Sequence, residues 1–438
     1  MHDDNTFLKR LKRHTHSTTA LGGLATRFLL NKNSESFAET LTQTLGSLKG
    51  PIMKVAQILS TIPDMLPEHY GQTLASLQSQ APPMGWLFVK RRLKTELGDD
   101  WENRFRSFEK NAAFAASLGQ VHRATSLEDL PLAVKIQYPD MASTVDADIQ
   151  QVKLLLKIYE ASEGALKTKD VMEEITTHLR EELDYEKEAR SMETFGKIFK
   201  NNPTIRVPKA LPELSTKRLL TMGWLEGEKL SSFETQDQTL RNTLAKTLFH
   251  AWYKPLYHYG LLHGDPHLGN YTATPEGHLN LFDFGCVRVF DPHFIEGILI
   301  LYKALQENNL KKAAEAYEIW GFKNLSRELI ETLNLWAQYL YAPLLDDAVR
   351  FINPDLNTQE GQKIAGTIHQ KLKAMGGIAP PKEFVFMDRA AVGLGSVFMR
   401  LKAQLNWHDL FQELTDDFNK ETVLINQTNV LSYTNSPF

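Results

Sequence analysis

The sequence has a single cysteine, no long apolar run and no excess of charge of one sign. One cysteine, Cys286, among 438 residues excludes an internal disulfide framework and suits a reducing compartment. No segment approaches the roughly 18 uninterrupted apolar residues that predict a membrane-spanning helix. The formal net charge of −4 gives no global basic field for nucleic acid. With 42% hydrophobic and 23% charged residues, the composition indicates an ordinary globular protein, which we expect in the cytoplasm without a nucleic-acid partner.

Several nucleotide-binding signatures are missing as well. The chain contains neither Gly-x-Gly-x-x-Gly nor Gly-x-x-x-x-Gly-Lys-Ser/Thr, which disfavours the Rossmann and P-loop folds. No Ala-Pro-Glu follows closely on the Asp-Phe-Gly at 283–285, so a standard protein kinase is disfavoured too.

The N-terminus superficially resembles a signal peptide, because basic residues precede an apolar segment between Leu21 and Leu30. The basic residues are Lys9, Arg10, Lys12 and Arg13. Arg27 interrupts the apolar segment, however, and no Ala-x-Ala cleavage site follows. We therefore predict a basic amphipathic helix that contacts an anionic membrane peripherally, at its inner face. The alternative, in which the same apolar stripe packs on the core of the protein, stays open.

Two short segments carry the strongest chemical signal. Asp265 lies in a His-Gly-Asp sequence, Asn270 follows five residues later, and Asp283 opens an Asp-Phe-Gly sequence eighteen residues after Asp265. Phosphoryl transfer depends on positioning and charge neutralisation, so it needs one base for the acceptor hydroxyl and oxygen ligands for Mg²⁺. In this order and spacing Asp265 is the candidate base, and Asn270 and Asp283 are the candidate metal ligands. Either segment alone is weak, but together they predict ATP chemistry.

His263 and His267 lie four residues apart around Asp265, a spacing that on a helix would indicate a metal-binding pair. Pro266 and Gly269 argue against a helix at this point in the chain. We therefore favour structural roles for both histidines.

The second half of a nucleotide site is predicted upstream. Lys135 interrupts an apolar strand from 132 to 136, and a preceding strand and turn form a hairpin that leads into it. A charge-rich helix is predicted from Glu173 to Met192, and it offers several glutamates as partners for this lysine, among which periodicity does not choose. Residues 219–227 have the pattern of an apolar strand that ends in a Gly-punctuated connection, the form of a kinase hinge.

Four motifs extend over most of the chain, from about Leu45 onward. They are Lys54-Val55-Ala56-Gln57, the alanine-rich segment from Phe114 to Ala124, Glu182-Leu183-Asp184, and the His-Gly-Asp loop with its Asp-Phe-Gly. In this combination the sequence resembles the UbiB/AarF/ADCK family of atypical, protein-kinase-like proteins, as a bacterial AarF-type member. The resemblance implies an ATPase or a small-molecule or lipid kinase, linked to the biosynthesis of ubiquinone and other isoprenoid lipids.

The resemblance also implies roles for individual residues. Lys135 would contact the phosphates of ATP and pair with Glu188, and both would serve catalysis together with the base Asp265. Lys54 and Gln57, three apart on one helix face, would fold across the active site, where Lys54 would meet Glu182 and Asp184 and bar a protein substrate. The nucleotide-binding residues would be Ala115, Ala116 and Ser117 of the alanine-rich loop, Lys135, the hinge residues Met222, Gly223, Trp224 and Leu225, and Lys54, Gln57, Glu182 and Asp184, with Asn270 and Asp283 on the metal.

The expected fold class is α+β, a two-lobed protein-kinase-like fold with a small β-rich N-lobe and a large helical C-lobe. Residues 1–100 would form an N-terminal helical extension, 101–226 the N-lobe and 227–438 the C-lobe. ATP or ADP and Mg²⁺ are the expected cofactors, and a lipid or isoprenoid molecule is the expected partner. Two rival functions stay open: a small-molecule kinase of the aminoglycoside or choline type, and a non-catalytic ATP-gated lipid-binding protein.

The chain departs from the family pattern at three positions. Ala56 stands where the motif has glycine, a change that favours a helix by about 1 kcal/mol. Leu268 replaces a proline in a loop that keeps both of its candidate ligands. Phe114 stands where the loop usually has its first alanine, and a bulky ring near the nucleotide would change loop closure and nucleotide preference.

Overall fold

The computed structural model describes residues 84–116, 118–146, 149–150, 153, 169–352 and 359–432. Lys54, Gln57, Ser117 and the basic N-terminal segment, all of which carry predictions, lie outside these ranges. The described chain forms a small, sheet-rich N-lobe and a large, helical C-lobe, which confirms the α+β expectation. None of the helices in these ranges is both long enough and apolar enough to cross a membrane.

The N-lobe is built on a four-stranded antiparallel sheet in the order β1-β2-β3-β5. Its strands are β1 (Ser107–Ala115), β2 (Gly119–Thr125), β3 (Pro131–Gln137) and β5 (Leu219–Gly223). After its first residue β3 is buried throughout, which accounts for the near-continuous apolar run around Lys135. The residues Phe114, Val121, Lys135 and Leu220 are successive cross-strand partners, so their side chains share one face of the sheet.

Helix α1 (Trp86–Leu97) covers the opposite face of this sheet. Its buried Val89 and Leu93 recur at helical spacing and belong to one core cluster with Val134 and Ile136 of β3. Each such side chain stabilises the fold by about 1.5–3 kcal/mol when fully buried. Because side chains alternate along a strand, Lys135 points away from α1 and toward the C-lobe.

Two helices, α2 (Lys169–Glu181) and α3 (Tyr185–Ile198), follow in sequence. The charge-rich helical stretch from Glu173 to Met192 thus consists of two helices, because the chain breaks just before α3. The cause is Asp184, whose Oδ1 accepts a hydrogen bond from the backbone N–H of Lys187 at 3.0 Å and so caps a new helix.

Helix α3 is anchored to the C-lobe by its apolar face. Tyr185, Met192 and Phe195 belong to the same buried cluster as Trp252 and Phe284 of the C-lobe. Since this packing is continuous, the helix that carries Glu188 is held in a fixed position relative to the larger lobe.

The C-lobe carries eight further α-helices and most of the remaining strands among the described residues. The helices are α4 (Gln238–Tyr259), α5 (Pro292–Gln306), α6 (Leu310–Ile319), α7 (Arg327–Leu345), α8 (Gln359–Ala374), α9 (Lys382–Leu401), α10 (Trp407–Thr415) and α11 (Lys420–Ser432). The strands are β4 (Ile205–Arg206), β6 (Glu228–Lys229), β7 (Leu261–His263), β8 (Tyr271–Ala273), β9 (Leu279–Leu281), β10 (Val287–Val289), β11 (Val349–Phe351) and β12 (Gln404–Asn406). They pair as β4-β9-β8-β6, β7-β10 and β11-β12. The strand pair β11–β12 interrupts the otherwise helical region after β10.

The end of α4 leads directly into the predicted catalytic loop. Gly260 ends the helix in the left-handed conformation at φ 66°, which an L side chain rarely adopts, and its N–H closes on the carbonyl of Leu256 at 3.0 Å. The chain then enters β7, which pairs antiparallel with β10. This pairing places the segment after β7, with Asp265, beside the segment before β10, with Asp283.

Candidate active site

Lys135 and Glu188 form a buried ion pair at the inner face of the N-lobe sheet. The Nζ of Lys135 lies 2.8 Å from Oε1 and 2.9 Å from Oε2 of Glu188, so one ammonium group bridges both carboxylate oxygens. The same nitrogen lies 3.7 Å from Oδ1 of Asp283. Lys135 is 8% exposed and Glu188 is 2% exposed. The structure therefore selects Glu188 among the competing glutamates and makes Lys135 a buried cation between two carboxylates.

Burial and charge act in opposite directions on this pair. Burial alone lowers the pKa of Lys135, but the carboxylates of Asp283 and Glu188 outweigh it and raise that pKa above its ordinary value. Burial raises the pKa of Glu188 to about 7, against the opposing effect of the Lys135 charge. The lysine thus keeps its charge, and Glu188 is the member of the pair that takes up a proton as the pH falls.

Tyr185 lies against Lys135 from the side of α3. The ring centroid of Tyr185 is 5.1 Å from Nζ of Lys135, within the range of a cation–π contact. The side chain is buried, and its hydroxyl has no hydrogen-bond partner among the described residues. Burial raises the pKa of this phenol, so it stays neutral. Sequence reasoning missed Tyr185, because only the docking of α3 brings its ring to the lysine.

Asp265 and Asn270 are hydrogen-bonded to each other within the loop after β7. The Nδ2 of Asn270 donates to the carbonyl oxygen of Asp265 at 3.1 Å and to its Oδ2 at 3.0 Å. The amide nitrogen of Asn270 is thereby used, which leaves its amide oxygen as the atom able to ligate a cation.

Both histidines of the loop bond to the backbone. Nδ1 of His263 accepts from the N–H of Asp265 at 3.4 Å, and its Nε2 donates to the carbonyl of Phe282 at 3.3 Å. Burial lowers the pKa of His263, so the ring is neutral and joins the loop to the Asp-Phe-Gly. Nδ1 of His267 accepts from the N–H of Gly269 at 3.0 Å. These bonds are the structural roles that the loop sequence indicates.

The Asp-Phe-Gly segment is tied to both halves of the site. Asp283 has a left-handed backbone with φ 59°, which aspartate tolerates better than most residues. Phe284 is fully buried, and its ring centroid lies 5.2 Å from Phe195 of α3 and 5.4 Å from His263. This aromatic column connects the helix of Glu188 to the loop of Asp265 through the residue next to Asp283.

Helix α9 supports the loop from outside, a contact that the sequence analysis did not predict. A Cβ on Gly264 would overlap the ring of Phe386, and a Cβ on Gly393 would overlap the ring of Pro266. Glycine in a helix interior costs about 1 kcal/mol relative to alanine, so its presence within α9 indicates a close backbone approach. Gly393 is therefore the sequence signal that was available for this contact.

Of the predicted hinge residues, Met222 and Gly223 end β5, and Trp224 and Leu225 follow it. The N–H of Gly223 donates to the carbonyl of Lys209, and the N–H of Trp224 donates to that of Pro131, both at 2.9 Å. Within the described ranges no hydrogen-bond partner is found for the N–H of Leu225. The backbone N–H of Leu225 is thus available to donate a hydrogen bond to a nucleotide base at the hinge.

Asn280 of β9 anchors the far end of the hinge, which sequence reasoning also missed. Its buried Nδ2 donates to the carbonyl of Glu226 at 3.0 Å and to Oγ1 of Thr272 at 2.8 Å. A Cβ on Gly227 would lie 2.7 Å from the same nitrogen, so the hinge passes too close for a side chain. A polar residue inside the buried strand Leu-Asn-Leu was the available signal.

The described residues of the alanine-rich loop lie at the end of β1 and the start of β2. Ala115 pairs with Gln120, and the N–H of Ala116 donates to the carbonyl of Gly119 at 2.9 Å. A Cβ on Gly119 would overlap the carbonyl oxygen of Ile136, so the turn requires glycine at that point.

Glu182 and Asp184 lie at the junction of α2 and α3. Oε1 of Glu182 lies 3.4 Å from Nε2 of His178, and its Cγ stands 3.9 Å from the position of a Cβ on Gly285. Glu182 therefore borders the Asp-Phe-Gly, whereas Asp184 caps α3. Their predicted contact with Lys54 involves residues outside the described ranges.

Few protein groups are available to ligate a metal ion. In the part of the chain that the structure describes, no cluster of three or more His, Cys, Asp or Glu side chains is arranged to hold a metal ion. Asn270 and Asp283 together suit Mg²⁺, which takes one or two protein ligands and completes its shell with water and phosphate.

A cavity of about 440 Å³ lies away from these residues, behind α3. Residues of α2, α3, β10 and α9 line it, including Glu181, Arg190, Arg288 and Phe386. None of the predicted nucleotide-binding residues contributes to its walls.

Known proteins resemble this chain over most of its length. The family model of the ABC1 atypical kinase-like domain matches residues 76–317. The atypical kinase coq-8, mitochondrial, of Caenorhabditis elegans is 26% identical over 398 residues, which cover 88% of this chain and 52% of that protein. The atypical kinase COQ8B, mitochondrial, of Rattus norvegicus is 28% identical over 389 residues, which cover 87% of this chain and 72% of that protein. The chain thus spans between about half and three quarters of the length of these curated relatives.

A solved structure shows the same fold. The complex of Rv3197 with erythromycin, from Mycobacterium tuberculosis, aligns with a TM-score of 0.59 at 25% identity. The alignment covers 89% of this chain and 97% of that chain.

The family match includes every described residue of the candidate site. Lys135, Glu188, Asp265, Asn270 and Asp283 all lie within the matched residues 76–317, which make up more than half of the chain. The match confirms the resemblance inferred from the four sequence motifs. The chain belongs to the family of ABC1 atypical kinase-like domains.

Proposed function

We propose that this chain is an atypical kinase or ATPase that binds MgATP and supports ubiquinone or other isoprenoid-lipid metabolism. The observation that carries the proposal is the convergence of Glu188, at 2.8 and 2.9 Å, and Asp283, at 3.7 Å, on the buried ammonium of Lys135. Desolvation largely cancels the attraction in a buried ion pair, so such a group is weak as a stabilising device. Its position next to Asp283, a candidate metal ligand, supports a functional role.

The residues present fit a magnesium nucleotide. Bound MgATP would supply the phosphoryl group and a divalent charge that neutralises the phosphate oxygens. The amide oxygen of Asn270 and the carboxylate of Asp283 are hard oxygen ligands of the kind that Mg²⁺ prefers. Lys135 would contact the phosphates, and the backbone N–H of Leu225 would donate a hydrogen bond to the adenine base of the nucleotide.

Asp265 would act as the general base of the reaction. Its Oδ2 accepts a hydrogen bond from Asn270 at 3.0 Å, which orients the carboxylate. The neutral ring of His263 holds the backbone of the same residue. In this position Asp265 would take the proton of an acceptor hydroxyl, or orient an attacking water, as the phosphoryl group transfers.

The lipid link of the proposal comes from the family resemblance. The relatives named above are mitochondrial atypical kinases, which supports the kinase or ATPase class for this chain. Peripheral membrane contact would come from the basic N-terminal segment, whose Lys and Arg residues each contribute about 1 kcal/mol near an anionic surface. The family match does not favour a small-molecule kinase of the aminoglycoside or choline type.

Thermal unfolding with and without MgATP tests the metal and nucleotide assignment through Asp283→Asn. At about 100 times Kd, bound nucleotide should stabilise the wild-type chain by roughly 2.7 kcal/mol. The variant should lose most of this gain, because a neutral amide is a poorer ligand for Mg²⁺ than a carboxylate.

Asp129→Asn is the matched control, since Asp129 also has a left-handed backbone, with φ 66°, but lies on the β2–β3 turn. It should keep the wild-type response. Equal stabilisation of Asp283→Asn and wild type would reject the metal assignment. A wild-type chain that MgATP does not stabilise would reject nucleotide binding itself.

The lipid link is tested by measuring ATP hydrolysis with and without an isoprenoid phenol and vesicles that contain anionic lipid. Both additions should raise the turnover of the full chain. Replacing Lys9, Arg10, Lys12 and Arg13 together by glutamine should remove the vesicle effect and release the protein from sedimenting vesicles. Unchanged co-sedimentation would move the membrane-binding surface elsewhere on the chain.

A further inference from the structure

We propose that Phe114 and Trp224 form an aromatic latch that closes the mouth of the nucleotide cleft and opens each time a nucleotide enters or leaves. This inference rests on the proposed function and deepens it, because it names the residues that set the rate of nucleotide exchange.

The two rings are stacked. Their centroids lie 5.8 Å apart, and the ring planes differ by 22°. Phe114 belongs to β1, and Trp224 is the first residue after β5, in the hinge. Strands β1 and β5 are the opposite edges of the N-lobe sheet, so the stack joins the alanine-rich loop to the hinge across the face of the sheet.

The stack crosses the face of the N-lobe sheet that carries Lys135, the proposed phosphate-binding residue. Phe114 and Lys135 lie in the same cross-strand row, and Arg123 and Ala133 lie two residues further along the paired strands on the same face. The guanidinium carbon of Arg123 is 4.5 Å from the centroid of the Trp224 ring system. The rings therefore cover the path between Lys135 and the hinge, where a bound nucleotide has to lie.

The closed position is weak enough to open. An aromatic stack shifts an equilibrium only about 2- to 10-fold. An unsatisfied donor opposes the stacked arrangement. Nε1 of Trp224 is buried in it without a hydrogen-bond partner among the described residues. Phe114 is also 49% exposed, so water reaches the ring in the closed state.

A latch and a base-stacking ring predict different kinetics for the variant Phe114→Leu. If the stack is a latch, association and dissociation of nucleotide both accelerate by roughly 2- to 10-fold, and Kd changes less than either rate. If the phenyl ring instead stacks on the bound base, only dissociation accelerates, and Kd rises in proportion.

The experiment uses the full chain in two measurements. Amide hydrogen exchange of residues 112–120 in the nucleotide-free protein reports the latch directly, and stopped-flow binding of a fluorescent ADP with Mg²⁺ reports its effect on exchange. Phe114→Leu should accelerate both, whereas Phe114→Tyr should restore wild-type behaviour because it keeps the ring. Leu130→Ala is the matched control, because Leu130 is 59% exposed and lies on the neighbouring β2–β3 turn.

Each outcome decides the proposal. Unchanged amide exchange in Phe114→Leu would overturn the latch, whether or not the protein binds nucleotide. Faster dissociation with unchanged association would overturn it in favour of direct base stacking. Faster amide exchange together with a wild-type chain that binds no ADP would reject the proposed function and the gating role, while the stack would still be shown to hold the loop.

Discussion

The two halves of the candidate site are held in place by different forces. Lys135 and Glu188 are buried on a central strand and a helix, and charge pairing at 2.8 Å holds them together. Asp265 and Asn270 stand on a short loop, and backbone hydrogen bonds and close contact with α9 hold that loop. The ion-pair half is therefore part of the core, whereas the loop half is a short segment that neighbouring elements hold in place. Substitutions in the first half should therefore reduce stability as well as activity, whereas those in the second should reduce activity with little loss of stability.

The largest expected effect is on turnover in the loop half. Asp265→Asn should lower ATP turnover by about 100- to 10,000-fold, the usual loss when a general base is removed. The fold should be nearly unaffected, within about 0.5 kcal/mol, because the amide oxygen of asparagine still accepts the hydrogen bond of Asn270. Steady-state hydrolysis and urea unfolding measure the two quantities. A variant that keeps its turnover would remove Asp265 from the mechanism.

The next effect is on stability in the ion-pair half. Lys135→Met leaves the carboxylate of Glu188 buried without its counter-charge, which should cost about 3 kcal/mol in urea unfolding. Glu188→Gln should cost less, because Asp283 remains 3.7 Å from the ammonium group. The double variant should cost less than the sum of the single variants, since the two residues act as a unit. Strict additivity would contradict the pairing.

The same pair gives a pH dependence of defined sign. Burial raises the pKa of Glu188 to about 7, and the charge of Lys135 opposes that rise. Without the lysine the folded state holds the glutamate proton more tightly than the unfolded state does, so stability should fall as the pH rises from about 5 to 8. Urea unfolding of Lys135→Met across this range measures the slope. A flat profile would show that Glu188 is not in a buried environment.

A smaller effect tests whether α9 holds the loop after β7 in place. Gly393→Ala should destabilise the protein by about 1–3 kcal/mol, because its Cβ would overlap Pro266. The matched control is Gly196→Ala in α3, where nothing lies within 4 Å of the added Cβ. That change should stabilise by up to about 1 kcal/mol through helix propensity. Equal effects of the two substitutions in thermal unfolding would remove α9 from the support of the loop.

The smallest effect concerns a titrating group on the supporting helix. Burial raises the pKa of Asp388 in α9 to about 6, against the hydrogen bond from Nε1 of Trp336 at 2.6 Å. A raised folded-state pKa means that stability is lost as the pH rises from about 4 to 6. Asp388→Asn should remove that slope and stabilise the protein at pH 7 by about 1–2 kcal/mol. A steeper slope in the variant would contradict the assignment.

The sequence alone indicated the class of chemistry because the residues predicted to perform it lie in short local motifs. Asp265, Asn270 and Asp283 occur at set spacings within one segment, and the strand around Lys135 has an apolar pattern that a single lysine interrupts. These patterns predicted the two-lobed α+β fold and the family, both of which are confirmed. The roles of the individual residues and the domain boundaries stay predictions.

Other features depend on contacts between segments that are distant in sequence. Periodicity did not choose among the glutamates between 173 and 192. The family resemblance named Glu188, and the docking of α3 against β3 brings that residue to Lys135. The break before α3 was missed, because a capping aspartate within a charge-rich helical pattern resembles any other charged residue.

The sequence by itself determined which chemical groups are present and their order along the chain. Only the tertiary structure decided which of them meet: Tyr185 at Lys135, Gly393 at Pro266, and Phe114 at Trp224. The physical reason is that local motifs are encoded in the spacing of neighbouring residues. Close packing between strands and helices, by contrast, depends on the fit of side chains from the whole chain.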